Sequence, residues 1–273
     1  HEEGQEGRGE DRGAVEPADP AKGGYVRSLA KRRSGRRSQP RSCDLAADLV
    51  SSLQLSARDC DDLAGENGGG PRWAMAMLVD AARACRAPKL VDIEGAHLVG
   101  AYHSGPANLT LLDRLADAEA QVRVPTTLSA SSADLTKTAP PCYSVHDRAD
   151  ARMVVERAVA LGCTPALTCA PYFLGAPPRR GQRLAWAESN AAIYANSVIG
   201  ARTLKTPQYL DLACALTGRA PFTGPLTNKG RAPTLRINVS ALSPDWFATS
   251  LGAELLGYTL GERVGNADVH CTG

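Results

Sequence analysis

The stretch NLTLLDRLADAEAQVRVPTTL, Asn108–Leu128, contains the pattern that decides the fold. Its first part repeats apolar residues at the spacing of an amphipathic helix, and its last part, QVRVPTTL, is typical of a short strand. A helix that runs within a few residues into a strand is the repeating unit of layered α/β domains. The stretch therefore predicts an α/β domain in which the same alternation recurs on both sides.

The alternation does recur on both sides of this stretch. Before it, PRWAMAMLVDAARACRA predicts a helix, and KLVDIEGAHLVG predicts a strand over Leu90–Ile93. After it, Asp150–Gly162 predicts a helix closed by its final glycine, and Thr164–Tyr172 predicts a third strand that leads into a loop. Helices and strands in this order favour a layered fold with a partly parallel sheet and flanking helices.

The composition of the 273 residues allows one large domain or two small ones, because 43% of them are apolar. The net charge of +2 argues against a nucleic-acid partner and against an anionic membrane surface. The sequence contains no run of 18 apolar residues, and no signal peptide is recognisable in it. We therefore expect a cytoplasmic protein with no nucleic-acid partner and no membrane contact.

The first 44 residues differ from the rest of the chain in composition. Residues 25–42 carry seven Lys or Arg and no acidic residue. Such a segment lacks the apolar groups that would offset its ordering entropy, so residues 1–44 are predicted to be a disordered, low-complexity tail. The alternatives are an organelle-targeting signal, which the acidic residues ahead of it disfavour, and a nucleic-acid-binding arm. The folded domain is expected over residues 45–273.

The eight cysteines are irregularly spaced, and none forms a Cys-x-x-Cys pair. This spacing disfavours a zinc ribbon and a small disulfide-bonded scaffold. Most of the cysteines are therefore expected to be buried thiols that behave as small apolar side chains.

Three segments at predicted strand ends carry polar residues that a core does not need. They hold His97, then Thr126, Thr127 and Ser129, and finally Cys169. Ligands of open α/β sheets gather beyond the carboxyl ends of the strands, so these side chains are expected to converge. The structural alternative is a hydrogen-bonded core histidine, loop-capping threonines and a buried thiol. The same segments carry further candidates: Glu94, Tyr102, His103, Asp134 and Tyr172.

The segment Ala187–Ala201 reads as a helix made of Ala, Ser and Asn, with Glu188 as its one charge. A helix with so little charge is usually buried. At 100° per residue its polar side chains share one side, and the opposite face consists of Ala187, Ala191, Ala195 and Val198. Buried Ser and Asn must find partners. Either the backbone of neighbouring loops or a polar ligand can supply them, and both possibilities stay open at this stage.

Several segments in order resemble the aconitase X family, which includes phosphomevalonate dehydratase and cis-3-hydroxyproline dehydratase. They are AHLVGAYHSGPANLTLLDRLA, VRVPTTLSASSADL, TCAPYFLGAPPRRGQRLAWAESNAAIYANSVIGART and ALTGRAPFTG. The resemblance covers roughly Ala74–Gly224 and continues more faintly to Gly265. It implies an aconitase-like α/β fold and a hydro-lyase that eliminates water from a hydroxy acid or a phosphorylated hydroxy acid.

The resemblance also implies an iron or iron–sulfur centre and a small swivelling domain or subunit as a partner. Iron can polarise a hydroxyl leaving group as a Lewis acid, and cysteine thiolates suit such a centre. Cys169 matches the family's cysteine and is the expected metal ligand. The other residues matched to family segments are four expected catalytic residues, His97, Thr126, Thr127 and Glu188, and four expected substrate-binding residues, Ser129, Ser189, Asn196 and Ser197.

The chain departs from the family pattern at single positions and in extent. The family usually has Asn at Ser129, Ser at Gly95, Thr at Ala170 and Asn at Leu204. The later cysteine-bearing segments of the family have no counterpart here. The chain is therefore expected to be a partial catalytic domain that needs further ligands and the small domain. The alternatives are a catalytically inactive remnant or binding protein, and a thiol hydrolase that uses Cys169 with His97 as its base.

Overall fold

A computed structural model describes residues 53–99, 105–135, 145–264 and 269–272. The predicted tail over residues 1–44 lies outside the described residues, and so do Tyr102 and His103. The α-helices of the described residues are α1 (Ala57–Ala64), α2 (Gly69–Ala84), α3 (Pro106–Asp117), α4 (Val145–Ala160), α5 (Ser189–Tyr194), α6 (Leu210–Thr217), α7 (Pro244–Phe247) and α8 (Ser250–Val264). The strands are β1 (Leu90–Asp92), β2 (Ala96–Leu98), β3 (Thr126–Leu128), β4 (Arg183–Trp186), β5 (Arg202–Thr203), β6 (Arg219–Pro221), β7 (Leu235–Asn238) and β8 (Val269–Thr272).

The main sheet contains four strands in the order β3-β2-β4-β5. Its neighbouring strands all run parallel. Strand β1 pairs with β6 in a separate antiparallel ladder, and β7 pairs with β8 in a parallel one. The prediction of an α/β fold with a partly parallel sheet and flanking helices is confirmed. No helix in the part of the chain that the structure describes combines the length and apolarity needed to cross a membrane.

The core combines Leu and Val side chains with many alanines that allow close packing. Helix α6 is buried from Asp211 to Thr217, and it packs against α2, whose inward face includes Ala74, Met75 and Leu78. A Cβ added to Gly70 would lie 2.4 Å from the Cβ of Ala120, so no larger residue fits there without displacing the backbone. These close contacts allow the elements around the sheet to hold its strand ends rigidly.

The third strand predicted at the start of Thr164–Tyr172 is reduced to one bridge residue, Thr164. Thr164 forms one parallel bridge with Thr127, and the chain then leaves the sheet. Leu167 adopts a left-handed conformation with φ of 47°, which an extended strand cannot contain. The neighbour of β2 in the sheet is instead β4, which the sequence reasoning missed because RLAW is short and follows a Pro- and Arg-rich loop.

The predicted helix over Ala187–Ala201 exists in two parts. Helix α5 ends at Tyr194, and the π-helical turn Ala195–Ile199 follows it. A π-turn holds more residues than an α-turn and rotates every later side chain away from the 100° wheel. Val198, predicted on the buried face, is consequently 64% exposed, and Ile193 on α5 is 66% exposed. The expectation of a wholly buried helix is therefore wrong, although Ala191 and Ala195 are fully buried.

Candidate active site

The carboxyl ends of β2, β3 and β4 lie side by side at one edge of the main sheet. The register pairs His97 of β2 with Thr127 on one side and with Trp186 on the other. Paired residues of neighbouring strands point to the same face of a sheet, and residues two positions further on do so again. The fold therefore directs Ser129 and Glu188, two residues beyond Thr127 and Trp186, to the face that carries His97.

His97 is fully buried and uses both ring nitrogens. Its Nδ1 lies 2.9 Å from Thr127 Oγ1, and its Nε2 lies 3.2 Å from Glu188 Oε2. An ionised carboxylate only accepts hydrogen bonds, so Nε2 carries the proton and Nδ1 accepts from the threonine hydroxyl. The edge of the imidazole meets the Trp186 indole at 6.2 Å between ring centroids. Thr127 and Trp186 thus fix the orientation of the ring.

Burial lowers the pKa of His97, and the neighbouring Glu188 only partly opposes this effect. The imidazole is therefore neutral at pH 7, in agreement with the tautomer assigned from its partners. His97 has no exposed surface, and Glu188 lies between its ring and the surface.

Glu188 is the centre of the polar network. Its Oε2 accepts the His97 Nε2–H and also the Ser129 hydroxyl, at 2.8 Å. Glu188 is the residue that precedes α5, and its side chain is 19% exposed. Two donors on one oxygen hold the carboxylate in a fixed plane at the mouth of the site.

Cys169 lies at the rim of this network with an exposed thiol. The neighbouring Glu188 carboxylate, together with partial burial, raises the pKa of the Cys169 thiol, and the nearby Ala130 backbone and Ser129 side chain act in the opposite direction. Asn190 holds the loop in place, because its Nδ2 donates to the Cys169 carbonyl at 2.7 Å. The network therefore runs from Thr127 through His97, Glu188 and Ser129 to Cys169.

This arrangement does not support a thiol hydrolase. The His97 ring nitrogens are engaged by Thr127 and Glu188, which leaves neither as a base for Cys169. A nucleophilic cysteine also needs a lowered pKa, whereas the surroundings of Cys169 raise it.

The remaining candidates lie outside the network. Thr126 faces the opposite side of β3, where its hydroxyl donates to the Val124 carbonyl at 2.8 Å. Asn196 has an internal structural role: its Nδ2 donates to the Ala192 and Thr203 carbonyls, and its Oδ1 accepts from Thr203 N–H and Arg231. Ser189 and Ser197 are exposed on the outer surface of the helical segment. Of the four expected substrate-binding residues, the structure brings only Ser129 to Glu188.

Two further candidates are also accounted for. Glu94 forms a long ion pair of 3.5 Å with Arg179 on the surface. Tyr172 stacks on Tyr194 with ring centroids 3.9 Å apart, and this contact holds the loop that follows Cys169 against α5.

The described residues do not fit a complete iron–sulfur centre. Within the described ranges, no group of three or more His, Cys, Asp or Glu is arranged to hold a metal ion. An iron–sulfur cluster requires several thiolates. Cys169 is the one described cysteine in the network, while Cys163 and Cys214 are buried and Cys60 and Cys85 lie on or beside α1 and α2. Cys169 can serve as a single ligand.

The sequence reasoning missed one residue that supports this edge. Asp211, on α6, is buried and accepts the backbone N–H of Val99 at 2.9 Å, immediately after β2. An acidic residue within the apolar run LDLACALT was the available signal, since a carboxylate in such a run must find partners.

A polar network at the carboxyl edge of a parallel sheet is typical of layered α/β domains, whose strand-end loops commonly surround their ligands. Residues 52–229 match the family model described as the aconitase X first domain. The chain therefore belongs to the aconitase X family.

Individual relatives agree with this family. The chain is 38% identical to cis-3-hydroxy-L-proline dehydratase of Hypocrea jecorina, over 81% of this chain and 37% of that protein. It is 39% identical to the enzyme of the same name from Pseudomonas aeruginosa, over 73% of this chain and 35% of that protein. It is 34% identical to the phosphomevalonate dehydratase large subunit of Methanothermobacter thermautotrophicus, over 74% of this chain and 50% of that protein.

A solved structure is also similar. The crystal structure of Thermococcus kodakaraensis aconitase X in its holo-form matches with a TM-score of 0.70 and 28% identity, covering 80% of this chain and 54% of that chain. The chain thus spans between about a third and a half of the length of these relatives.

Proposed function

We propose that this chain forms the first domain of a dehydratase that eliminates water from a hydroxy acid. The single observation that carries the proposal is the network centred on Glu188, in a domain that belongs to the aconitase X family. Elimination of water breaks a C–H and a C–O bond, so one group must accept a proton and hydroxide must be assisted in leaving. Glu188 is the ionisable network residue that is both oriented and partly exposed.

We assign Glu188 the role of proton acceptor or donor at the substrate. His97 and Ser129 are positioning residues, because they donate to Glu188 Oε2 from buried positions. Thr127 positions His97 in turn. Fixing a carboxylate in this way lowers the reorganisation that proton transfer requires. The earlier assignments of Thr126, Ser189, Asn196 and Ser197 find no support in this geometry.

We propose a small hydroxy acid as the substrate and a second protein segment as the partner. Relatives that act on cis-3-hydroxy-L-proline share 38% and 39% identity, and this makes a hydroxylated amino acid the first substrate to test. Relatives named as large subunits suggest that the missing part of the site, including further metal ligands, is supplied by other sequence such as the family's small domain. We place the protein in the cytoplasm, where such small metabolites occur.

The test is complementation. The chain is co-produced anaerobically, with iron and sulfide, together with the part of the Hypocrea jecorina relative that it does not match. Loss of cis-3-hydroxy-L-proline and of phosphomevalonate is then followed by mass spectrometry. Glu188→Gln should reduce turnover by about 100- to 10,000-fold, the range for removal of a general acid or base. Glu156→Gln, an exposed substitution on α4, is the matched control and should leave turnover unchanged.

A second candidate function is a binding protein without turnover. It is favoured by the described residues, which offer a single cysteine to a metal centre. If calorimetry detects binding of the hydroxy acid that Glu188→Gln weakens, while the complemented protein consumes neither substrate, the binding role replaces the dehydratase proposal.

A further inference from the structure

One turn of the chain, Tyr209–Asp211, contacts both flanks of the segment that follows β2. Tyr209 precedes α6 in a left-handed conformation, with φ of 71° and ψ of −23°. A residue other than glycine is strained there and persists only where surrounding contacts hold it. The contacts of Tyr209 and Asp211 therefore indicate which neighbouring segments this strained turn holds in place.

The first contact fixes the end of β2. Asp211 is 1% exposed; its Oδ2 accepts the Val99 N–H at 2.9 Å, and its Oδ1 accepts the Leu212 N–H at 2.8 Å. Val99 follows His97 by two residues, so the buried carboxylate holds the strand that carries the site histidine.

The second contact fixes the start of α3. The Asn108 Nδ2 donates to the Tyr209 hydroxyl, and Asn108 is 2% exposed in the first turn of that helix. Val99 and Asn108 are the two flanks of the stretch that carries Tyr102 and His103 in the sequence. A single strained turn thus holds both sides of that stretch.

The surroundings of Asp211 exclude a ligand-binding role for it. The cavity beside it measures about 20 Å³ and is lined mainly by apolar side chains, including Leu98, Leu112 and Leu128. That volume holds one water molecule and no metabolite. Among the described residues no cation pairs with Asp211, and the titratable groups that face it are the Cys163 and Cys214 thiols and Tyr209.

Burial raises the pKa of Asp211 to about 6. Burial, with a smaller effect from the Asp211 charge, raises the pKa of Cys163 to about 12 and also raises the pKa of Cys214. Both thiols therefore stay neutral between pH 5 and 8, and Asp211 is the facing group that changes charge there. A buried carboxylate without a counter-ion is costly unless it serves as an acceptor.

We propose that Tyr209 and Asp211 form a clamp on both flanks of the segment after β2, with Asp211 as a positioning residue for the site around Glu188. The inference rests on the proposed function for its biological meaning, but the contacts themselves can be tested without turnover.

The experiment measures amide hydrogen exchange by NMR in the full chain for Asp211→Asn and Tyr209→Phe. Matched controls are Asp80→Asn and Tyr258→Phe, which change exposed side chains. Asp211→Asn should speed exchange of the Val99 amide about tenfold or more, because one N–H then loses its carboxylate acceptor, while amides of α2 keep their protection. Tyr209→Phe should speed exchange in the first turn of α3 and is the milder variant if the first does not fold.

A pH series on the unmodified chain adds a third readout. Protection of the Val99 amide, corrected for intrinsic exchange, should rise as pH increases through about 6, and Asp211→Asn should abolish that rise. Unchanged exchange at Val99 and in α3 overturns the clamp, and so does equal acceleration at every amide, which marks a loss of global stability alone. Selective release of Val99 in a protein that never turns over substrate supports the clamp and contradicts the dehydratase proposal.

Discussion

Two polar networks lie on either side of β4, and they use similar residues for different purposes. In the Glu188 network, the side chains of His97, Ser129 and Cys169 converge on a carboxylate that stays partly exposed, and Thr127 holds His97 from behind. In the Asn196 network, one amide joins the π-helical turn to β5 and to Arg231, and both ends of the amide are occupied by internal partners. Polar side chains in a sheet protein indicate a site only when their hydrogen-bonding capacity is directed to a surface.

The largest stability effect should come from Asn196→Ala. It leaves the Ala192 and Thr203 carbonyls, the Thr203 N–H and one Arg231 donor without this partner. At about 1 kcal/mol for each, we expect the free energy of unfolding to fall by about 3–4 kcal/mol in urea titrations. Asn190→Ala, which removes one exposed bond to the Cys169 carbonyl, is the control and should cost about 1 kcal/mol or less. An equal loss of unfolding free energy in the two variants would contradict the proposed difference between the two networks.

The next effect is the pH dependence that Asp211 imposes. Its pKa is about 6 in the folded chain and near 3.8 in the unfolded chain, so the folded state binds the proton more tightly. The contribution of Asp211 to the free energy of unfolding is therefore largest below pH 3.8. It falls by about 3 kcal/mol as the pH rises to 6. Denaturant titrations at several pH values should show this fall in the native chain and not in Asp211→Asn. Parallel curves for the two proteins would contradict the assignment.

The Cys169 thiol distinguishes the members of the Glu188 network. Glu188→Gln removes the main cause that raises the Cys169 pKa, so the pH midpoint of its alkylation should move down. Ser129→Ala removes a hydrogen bond that lowers the same pKa, so the midpoint should move up. Alkylation rates measured by mass spectrometry across pH 6 to 10 test both signs, with the exposed Cys60 as the internal reference. Shifts in the same direction would show that Cys169 is not coupled to Glu188 in this way.

The smallest effect should come from Val198→Ala. The π-turn places this side chain in solvent, with 64% of its surface exposed, so the change in unfolding free energy should stay within about 0.5 kcal/mol. Ala195→Val, three residues earlier and fully buried, should cost about 1–3 kcal/mol by overpacking. A regular helical wheel places both residues on one buried face, so equal effects would restore that interpretation.

The parts of the fold that the sequence predicted depend on local periodicity. The alternation around Asn108–Leu128 was sufficient for an α/β domain, and the polar residues beside the predicted strands were sufficient to single out His97, Thr127, Ser129 and Cys169. Their predicted positions at strand ends were only partly right, because His97 lies within β2 and Cys169 lies in a loop. Their assigned roles remain predictions. Strand β4 was missed because its four residues show no alternation, and they extend only because β2 and β5 offer partners on both sides.

The features that could not be predicted depend on tertiary contacts. The prediction of the third strand fails at Leu167, which has a left-handed backbone conformation. The local sequence pattern contains no signal for that conformation. Asn196 was assigned to a ligand because its internal partners Thr203 and Arg231 lie 7 and 35 residues away. Asp211 accepts a hydrogen bond from the Val99 N–H, which is 112 residues away in the chain. Neither a helical wheel nor a short sequence motif contains information about contacts so distant in sequence.

Trp186 belongs to both networks. Its backbone N–H donates to the Thr203 hydroxyl at 2.8 Å, and its indole meets the edge of His97. With only 5% of its surface exposed, against 45% for Trp246, its emission should be blue-shifted from that of the outer tryptophan. The protein therefore contains an intrinsic fluorophore beside the Glu188 network, and a ligand that binds there should change the Trp186 emission without an attached dye.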